Sequence, residues 1–260
     1  MPTPIIALKQ LKISFTSVQG KRLLAVDDMN LTIYEHEFVA LIGPSGCGKT
    51  TTLNAMAGLV KPDSGTMTLR GQTISGVNEE VGYISQADTL LPWRTVLDNV
   101  ALGLELRGIS KKVRHEKARS LLAQMGLSEF EHSYPHELSG GMKKRVTIAR
   151  VLAVDPALLF MDEPFGPLDA FTKERLQDDI LSIWEQSNQT IVYVTHDLTE
   201  AIAMADRVVL ISGRPGHVVR EYPVSLKRPR RVMEVKFEAD FVALERLLWT
   251  DLNREVVDYI

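Results

Sequence analysis

The stretch that decides the fold is residues 38–50, Phe-Val-Ala-Leu-Ile-Gly-Pro-Ser-Gly-Cys-Gly-Lys-Thr. Its apolar beginning, Phe38–Ile42, predicts a short buried strand, and residues 50–57 have helix-forming character. Between them the chain matches G-x-x-x-x-G-K-[ST], a phosphate-binding loop between a strand and a helix. Glycines let backbone N–H groups turn towards phosphate oxygens, and the helix N-terminus adds favourable partial charge. The stretch therefore predicts a site for nucleotide phosphates.

The whole loop is a candidate phosphate site, comprising Gly43, Pro44, Ser45, Gly46, Cys47, Gly48, Lys49, Thr50 and Thr51. We expect Lys49 to reach the β- and γ-phosphates and Thr50 to ligate Mg²⁺. The alternative, a glycine-rich turn that meets the pattern by chance, is disfavoured because a strand and a helix flank the loop.

Composition bounds the class of protein. The 260 residues suffice for one substantial core with a subdomain, or for two modest domains. With 30 Lys+Arg against 33 Asp+Glu, the net charge of −3 does not call for nucleic acid as a partner. A single cysteine excludes an internal disulfide and suits a reducing compartment. We see no secretory signal and no apolar run near the ~20 residues that span a bilayer, so we expect a cytoplasmic protein.

The rest of the chain predicts a mixed α/β core. Residues 5–14 and 29–42 alternate apolar and polar side chains and predict an antiparallel hairpin region. Helical periodicity covers residues 98–107, 112–125, 142–154 and 171–186, and further buried strands are predicted at 81–85, 157–161, 191–195 and 207–211. The last segment predicts an amphipathic helix, and its basic run at 227–231 reads as solvated, with attraction to lipid headgroups as the alternative.

Polar side chains follow three of the predicted strands: Gln86, the pair Asp162 and Glu163, and His196. Because the carboxyl ends of parallel strands share one edge of a sheet, we expect these groups to converge on the phosphate site. Asp162 would hold the Mg²⁺ shell, and Glu163 would lie near the γ-phosphate. Gln86 has an amide oxygen that can contact Mg²⁺ or the attacking water. Taken singly, each also fits a solvated turn residue or a structural histidine.

Two further features fit a nucleotide site less specifically. Ser139, Gly140 and Gly141 precede a predicted helix, which Ser139 is placed to cap, and alone they indicate only a cap and a turn. Phe15 is the nearest aromatic that could stack on a purine base. Its alternation with Ile13 fits a core-facing strand residue equally well.

Together these motifs resemble ATP-binding cassette (ABC) nucleotide-binding domains in order and spacing, over residues 5 to 215. The segments Leu91-Pro92-Trp93-Arg94, Leu138-Ser139-Gly140-Gly141-Met142, Asp162-Glu163-Pro164-Phe165-Gly166, Asp169-Ala170-Phe171-Thr172 and Arg228-Pro229-Arg230 are similar to importers of nitrate, taurine and alkanesulfonates. That group also includes importers of bicarbonate and of pyrimidine precursors of thiamine.

The resemblance implies an α/β fold, a P-loop NTPase (ABC ATPase) core with an N-terminal antiparallel β subdomain and an inserted α-helical subdomain. Residues 1–86 and 156–215 would form the ATP-binding core of one domain spanning 1–260. Residues 87–155 would form the helical subdomain, and 216–260 a C-terminal tail. The implied activity is ATP hydrolysis with ATP and Mg²⁺, coupled to uptake of a small solute.

The resemblance also implies partners. Two cassettes, a second copy or a paralogue, would sandwich two ATP molecules, with Ser139, Gly140 and Gly141 contacting the ATP of the partner and Asp169 crossing the interface. Glu163 would act as general base or water positioner, and His196 would hold the γ-phosphate. Integral-membrane permease subunits would dock on residues 88–104, where Leu91 and Trp93 are candidates, with core packing as the alternative. An extracytoplasmic solute-binding protein is an indirect partner, and nucleic acid is not one.

These expectations place the chain at the cytoplasmic face of the inner membrane. The alternative is a soluble, non-transport ABC ATPase, which usually carries two cassettes or a long coiled-coil insertion. A P-loop GTPase or kinase that acts alone is disfavoured because the guanine motif Asn-Lys-x-Asp is absent and Leu-Ser-Gly-Gly is present. Three positions depart from the common family pattern. Met142 stands where many signatures have Gln, although this importer group often has Met; Pro167 replaces the usual Ala; and the usual base-stacking Tyr just after Phe15 is missing. Because Cys47 lies in the loop, we expect thiol alkylation to inhibit the enzyme.

Overall fold

The computed structural model describes residues 2–17, 20–166, 168–187 and 189–257. The strands in these ranges are β1 (Pro4–Thr16), β2 (Arg22–Tyr34), β3 (Phe38–Ile42), β4 (Ser64–Leu69), β5 (Gln72–Thr73), β6 (Val81–Ile84), β7 (Leu158–Asp162), β8 (Thr190–Val194), β9 (Arg207–Ile211) and β10 (Val218–Pro223). The helices are α1 (Lys49–Met56), α2 (Val96–Leu106), α3 (Lys111–Gln124), α4 (Gly140–Leu152), α5 (Ala170–Glu185), α6 (Leu198–Met204), α7 (Val232–Val235) and α8 (Ala239–Val257). None of these helices is both long and apolar enough to cross a bilayer.

A six-stranded sheet forms the centre of the fold, in the order β10-β9-β3-β8-β7-β6. All neighbours in it are parallel except β10, which pairs antiparallel with β9. Every residue of β3 and β8 is buried because both faces of the sheet are covered. Alternate residues of β3 therefore belong to two different hydrophobic cores. Phe38 packs among the helices on one face of the sheet, and Val39 packs on the other face, which a second, antiparallel sheet covers. The predicted α/β fold is confirmed.

The second sheet is antiparallel, in the order β2-β1-β4-β5, and it covers the face that carries α1. The predicted hairpin region is present, but β2 begins at Arg22 rather than at residue 29. The alternation is interrupted at Asp27 and Asp28 because the pairing with β1 shifts register between Leu11 and Ile13. Asp28 takes a φ of 47°, which accommodates the irregularity.

The predicted helical insertion consists of α2, α3 and α4, which lie between β6 and β7 in the sequence and pack against one another. Thr95 caps α2, where its hydroxyl accepts a hydrogen bond of 3.2 Å from Asp98 N. Asn99 is fully buried, and its amide group bonds the backbone of Leu91 at 2.8 and 3.1 Å. The chain segment before α2 is therefore held against the helix by a polar side chain of the helix itself.

The last segment, residues 216–260, contributes more than a tail, because β10 extends the core sheet and α8 buries Phe241 and Leu248. The prediction that the basic run 227–231 is solvated is wrong for two of its arginines. The Arg228 guanidinium lies 4.2 Å from the ring centroid of Trp184 and bonds Asp206. Arg230 is only 4% exposed.

Arg230 is buried because its guanidinium satisfies backbone carbonyls that a neutral side chain would leave unpaired. It donates to the carbonyl of Ala205 at 2.6 Å, just after α6, and to that of Leu226 at 2.8 Å. Burial lowers the pKa of Arg230 to about 10. The planar guanidinium carries five N–H donors, so it can bond several carbonyl oxygens at once. Lys227 and Arg231 are the solvated members of the run.

Candidate active site

The phosphate loop leaves β3 at Ile42 and enters α1 at Lys49, as the sequence predicts. Gly48 precedes the helix with a φ of 95°, and a Cβ there would lie 2.8 Å from the carbonyl oxygen of Ala25. Only glycine satisfies both conditions. Lys49 is nearly buried, and its Nζ donates to the carbonyls of Gly43 at 2.8 Å and Pro44 at 2.9 Å. The ammonium group is thus held inside the curve of the loop.

An open cleft of about 300 Å³ lies beside the loop, and we call it the phosphate-loop cleft. It is lined by Phe15, Leu23, Ala25, residues 45–51, Glu163 and Arg214. Phe15 is 43% exposed, so the alternative that it is a core-facing residue is wrong. Leu23, paired with Phe15 across the two strands, is 39% exposed. Together they give the cleft an apolar wall next to the loop.

Asp162 lies at the carboxyl end of β7, next to the start of α1. Its Oδ1 accepts a hydrogen bond of 2.9 Å from Thr50 Oγ1, and the hydroxyl of Tyr83 lies 3.5 Å from its Oδ2. Burial raises the pKa of Asp162 above its usual value, partly offset by the Thr50 hydrogen bond. A cation at this position would favour the ionised carboxylate.

This hydroxyl–carboxylate pair has the chemistry that Mg²⁺ requires. Mg²⁺ is usually held by one or two protein oxygens together with substrate phosphates and water. Among the described residues there is no cluster of three or more His, Cys, Asp or Glu side chains that could hold a metal ion by itself. The residues present therefore fit a magnesium ion that arrives with its nucleotide.

Glu163 and His196 face each other at the same edge of the sheet. The His196 Nδ1 lies 3.2 Å from Glu163 Oε2, and the histidine is two-thirds exposed. Glu163 has a φ of 43°, a left-handed conformation that costs a non-glycine residue about 1–3 kcal/mol. Its backbone N–H donates to the carbonyl of Val194 at 3.0 Å, which ties the end of β7 to the end of β8.

The loop that carries His196 is held by the buried carboxylate of Glu200. This carboxylate accepts hydrogen bonds from the hydroxyl of Tyr193 and, at 2.6 Å, from Thr195 Oγ1. Burial raises the pKa of Tyr193 well above its usual value, so the phenol remains a donor. Lys173, in the first turn of α5, lies 2.5 Å from the other Glu200 oxygen. Sequence reasoning missed this network, although a charged residue directly before the apolar run 201–204 of α6 is a signal for it.

Gln86 is exposed and follows β6 by two residues, at the same edge of the sheet. Its backbone is held by Lys144, a residue that sequence reasoning missed. Lys144 is 1% exposed, and its Nζ donates to the carbonyls of Gln86 at 2.9 Å and Ser85 at 3.2 Å. It also lies 3.2 Å from Asp88 Oδ1.

The signal for Lys144 lies in helical spacing. It precedes the buried Ile148 by four residues on α4, which places it on the apolar face of that helix. A lysine on such a face must find partners for its charge. The partners themselves are more than fifty residues away in sequence, so the pattern does not reveal them.

Ser139 and Asp169 each cap a helix. Ser139 Oγ accepts a hydrogen bond of 3.3 Å from Met142 N at the start of α4, as predicted. Asp169 Oδ1 accepts one of 3.1 Å from Thr172 N at the start of α5, and the hydrogen bond to Thr172 lowers the pKa of Asp169.

The two caps are close to each other but outside the phosphate-loop cleft. A Cβ on Gly141 would lie 2.6 Å from Thr172 Cγ2, which brings the start of α4 against the start of α5. Ser139, Gly140 and Asp169 are exposed, and none of them lines the phosphate-loop cleft of the same chain. Pro167, the departure from the family pattern, lies outside the described residues.

Two remaining expectations have structural outcomes. Trp93 is 71% exposed, so the core-packing alternative is wrong for it, whereas Leu91 is half-buried. Cys47 is 1% exposed, and burial raises the pKa of its thiol. Because the thiolate is the reactive form, this burial argues against the expectation that alkylating agents readily modify Cys47.

Comparison with known proteins agrees with this geometry. A family model described as ABC transporter matches residues 26–166. The ABC transporter ATP-binding protein MJ0412 of Methanocaldococcus jannaschii is 47% identical over 218 residues, 84% of this chain and 82% of its own length. The taurine import ATP-binding protein TauB of Escherichia coli is 44% identical over 224 residues, 85% of this chain and 88% of its own.

The solved dimeric structure of the ATP-binding cassette MJ0796 bound to ADP and Pi is similar, with a TM-score of 0.75 at 30% identity. The match covers 85% of this chain and 100% of the MJ0796 chain. The resemblance to cassettes of the nitrate, sulfonate and taurine importers is thereby confirmed. The chain belongs to the ABC transporter family, as an ATP-binding subunit that hydrolyses ATP.

Proposed function

We propose that this subunit uses ATP binding and hydrolysis at a dimer interface to drive uptake of a small solute. The observation that carries the proposal is the meeting of three parts at one edge of the core sheet. They are the phosphate loop around Lys49, the Thr50–Asp162 pair and the Glu163–His196 pair. A cradle for phosphates, oxygen ligands for a metal ion and a group that positions water are the parts of a phosphoryl-transfer site.

Each residue has a role in this site. Lys49 and the N–H groups of residues 45–51 bind the phosphates, and Phe15 stacks on the base from the apolar wall of the phosphate-loop cleft. Glu163 positions the attacking water and accepts its proton. His196, within hydrogen-bond distance of Glu163, holds the water and the γ-phosphate.

Magnesium is the metal that this site would hold. Thr50 Oγ1 and Asp162 Oδ1 supply two oxygens 2.9 Å apart, and Gln86 would add its amide oxygen. When bound, the ion neutralises phosphate charge. The protein's part is to keep Asp162 ionised and aligned through the hydroxyl of Thr50.

The site is completed by a second cassette, either another copy or a paralogue. Ser139 and Gly140 are exposed and Gly141 is half-buried at the start of a helix, where N–H groups bind anions, yet all three lie outside the phosphate-loop cleft of their own chain. They would therefore contact the γ-phosphate of ATP on the partner. Asp169 stands beside them and would cross the same interface. The dimeric structure of the similar cassette MJ0796 supports this arrangement.

Coupling to transport needs integral-membrane permease subunits, which place this subunit at the cytoplasmic face of the inner membrane. Trp93 is a large aromatic side chain that is 71% exposed in the helical subdomain. Aromatic residues of this kind are enriched at protein–protein interfaces. A solute-binding protein on the other side of the membrane would deliver the solute. We also propose residues 87–155 as the helical subdomain, which the packing of α2, α3 and α4 against one another supports.

The test of the ATPase site uses Glu163→Gln, which removes the carboxylate and preserves side-chain size. The purified variant should bind ATP as tightly as the wild type and lose nearly all turnover. Glu129→Gln, a change at an exposed glutamate that does not line the phosphate-loop cleft, is the matched control. Unchanged turnover in Glu163→Gln would refute the assigned role.

The transported solute is proposed from relatives at 44–45% identity that are named as taurine importers. Sulfonates such as taurine are therefore the first choice, and nitrate, bicarbonate and thiamine-pyrimidine precursors follow. Deletion of the gene should abolish taurine uptake, and re-expression should restore it. Purification without any multi-span membrane protein would instead favour a soluble, non-transport ABC ATPase.

A further inference from the structure

We infer that Arg214 is a further ATP-binding residue, which contacts the phosphate oxygens from the loop after β9. The inference rests on the proposed ATP site. It concerns residues 212–216, Ser-Gly-Arg-Pro-Gly, to which no role is assigned above. Because β9 pairs in parallel with β3, both strands end at the same edge of the sheet. The loop after β9 therefore emerges beside the phosphate loop.

Backbone hydrogen bonds hold this loop against β2, and close packing brings it against the phosphate loop. Gly216 N donates to the carbonyl of Ala25 at 2.9 Å, and the Gly216 carbonyl accepts from Asp27 N at 3.1 Å. A Cβ on Gly216 would lie 2.0 Å from the carbonyl oxygen of Cys47, so only glycine permits this approach. Ser212 Oγ accepts a hydrogen bond of 3.0 Å from His217 N and secures the other end. Hydrogen bonds thus hold the backbone on both sides of Arg214.

The side chain of Arg214 faces the phosphate-loop cleft. It lines that cleft together with residues 45–51, Phe15 and Glu163, and it is exposed. A Cβ on Gly46 would lie 3.7 Å from its terminal nitrogen, which places the guanidinium against the phosphate loop. In the ranges that the structure describes, Arg214 forms no ion pair and no side-chain hydrogen bond.

An unpaired guanidinium at this position differs from the other arginines that contact the core. Arg207, for example, bonds both carboxylate oxygens of Glu37 at 2.7 and 2.8 Å. Arg214 keeps all of its donors available beside a loop built for an anion. A guanidinium donates two parallel hydrogen bonds to phosphate oxygens, and its charge remains at any physiological pH. The phosphate chain of ATP is the ligand that matches these features.

The test measures the dissociation constants of ATP and adenosine for the purified full chain, by displacement of a fluorescent ATP analogue in EDTA, where turnover stops. Arg214→Gln should weaken ATP binding about tenfold, since a charge-assisted contact is lost. Adenosine, which has no phosphate, should bind unchanged. Arg214→Lys keeps the charge and should recover most of the affinity. Arg246→Gln, at an exposed arginine of α8, is the matched control.

Three outcomes would overturn the inference. One is unchanged ATP affinity in Arg214→Gln, and a second is an equal loss for ATP and adenosine, which would mean stacking on the base. The third is an Arg214→Lys variant as weak as Arg214→Gln. A wild-type chain that does not bind ATP would refute the proposed function itself. Thermal unfolding checks that each variant folds, and Arg214→Met replaces Arg214→Gln if that variant does not.

Discussion

The buried ammonium of Lys144 offers a direct test of how the helical subdomain holds the loop of Gln86. Lys144→Met keeps the length of the apolar stem and removes the charge. It deletes hydrogen bonds of 2.9 and 3.2 Å to two backbone carbonyls and an ion pair of 3.2 Å with Asp88. Because the lysine is 1% exposed, water does not screen these contacts in the native protein.

The magnitude follows from the partners. A hydrogen bond to a charged group contributes roughly 1.5–3 kcal/mol. The Asp88 carboxylate is one-third exposed and regains water when the lysine is removed, so the two carbonyls dominate the loss. The methionine avoids the desolvation cost of a buried ammonium, and this gain offsets part of the lost hydrogen-bond energy. We expect the free energy of unfolding to fall by about 2–3 kcal/mol.

Two assays on the same variant separate stability from function. Urea unfolding followed by circular dichroism reports the free energy of unfolding. ATP hydrolysis should show a lower kcat, since the backbone that carries Gln86 has lost its anchor. The Kd for ATP measured in EDTA should stay unchanged, because without the metal ion Gln86 has no proposed contact with the nucleotide and does not line the phosphate-loop cleft.

The neighbouring Lys143→Met is the matched control, since Lys143 makes no side-chain hydrogen bond or ion pair among the described residues. It should leave both stability and kcat near the wild-type values. If Lys144→Met matched this control in both assays, Lys144 would not be the anchor of the loop. A loss of stability with normal kcat would limit its role to folding.

Four further outcomes are expected. Lys49→Ala should weaken ATP binding in a displacement assay, since it removes the cation inside the loop; wild-type affinity would contradict that role. Ser139→Arg should prevent ATP-driven dimers in gel filtration and leave ATP binding by the monomer intact, whereas normal dimers would exclude contact across the interface. Trp93→Ala should reduce co-purification with the permease more than basal ATPase activity, because the side chain is exposed; an unfolded variant would show a packing role. Cys47 should react with iodoacetamide far more slowly than a denatured control at pH 8, since burial raises its thiol pKa; rapid modification of the folded chain would refute the burial.

The catalytic edge of the sheet could be predicted from sequence because strand ends obey a simple rule. Asp162 directly follows an apolar run, His196 comes two residues after the last residue of β8, and parallel strands end together. The structure brings Asp162 to Thr50 and His196 to Glu163, as the strand-end rule predicts. This part of the site needs only local patterns and the topology of the fold.

The basic run could not be predicted correctly in the same way. A dense local charge usually marks a solvated segment. The carbonyls that Arg230 satisfies include that of Ala205, 25 residues earlier in the chain. The Trp184 ring beneath Arg228 lies on another helix. Partners at such distances leave no trace in the periodicity of the run.

By itself the sequence determined that the chain binds nucleotide phosphates and which family it resembles. Those properties depend on the residue types of the phosphate loop and on the order of short motifs. Only the tertiary structure decided that Phe15 faces the phosphate-loop cleft, that Arg214 stands beside Gly46 with no ion pair among the described residues, and that Ser139 lies outside the cleft of its own chain. The reason is physical: exposure and charge pairing depend on which distant segments pack together, and folding sets those neighbours.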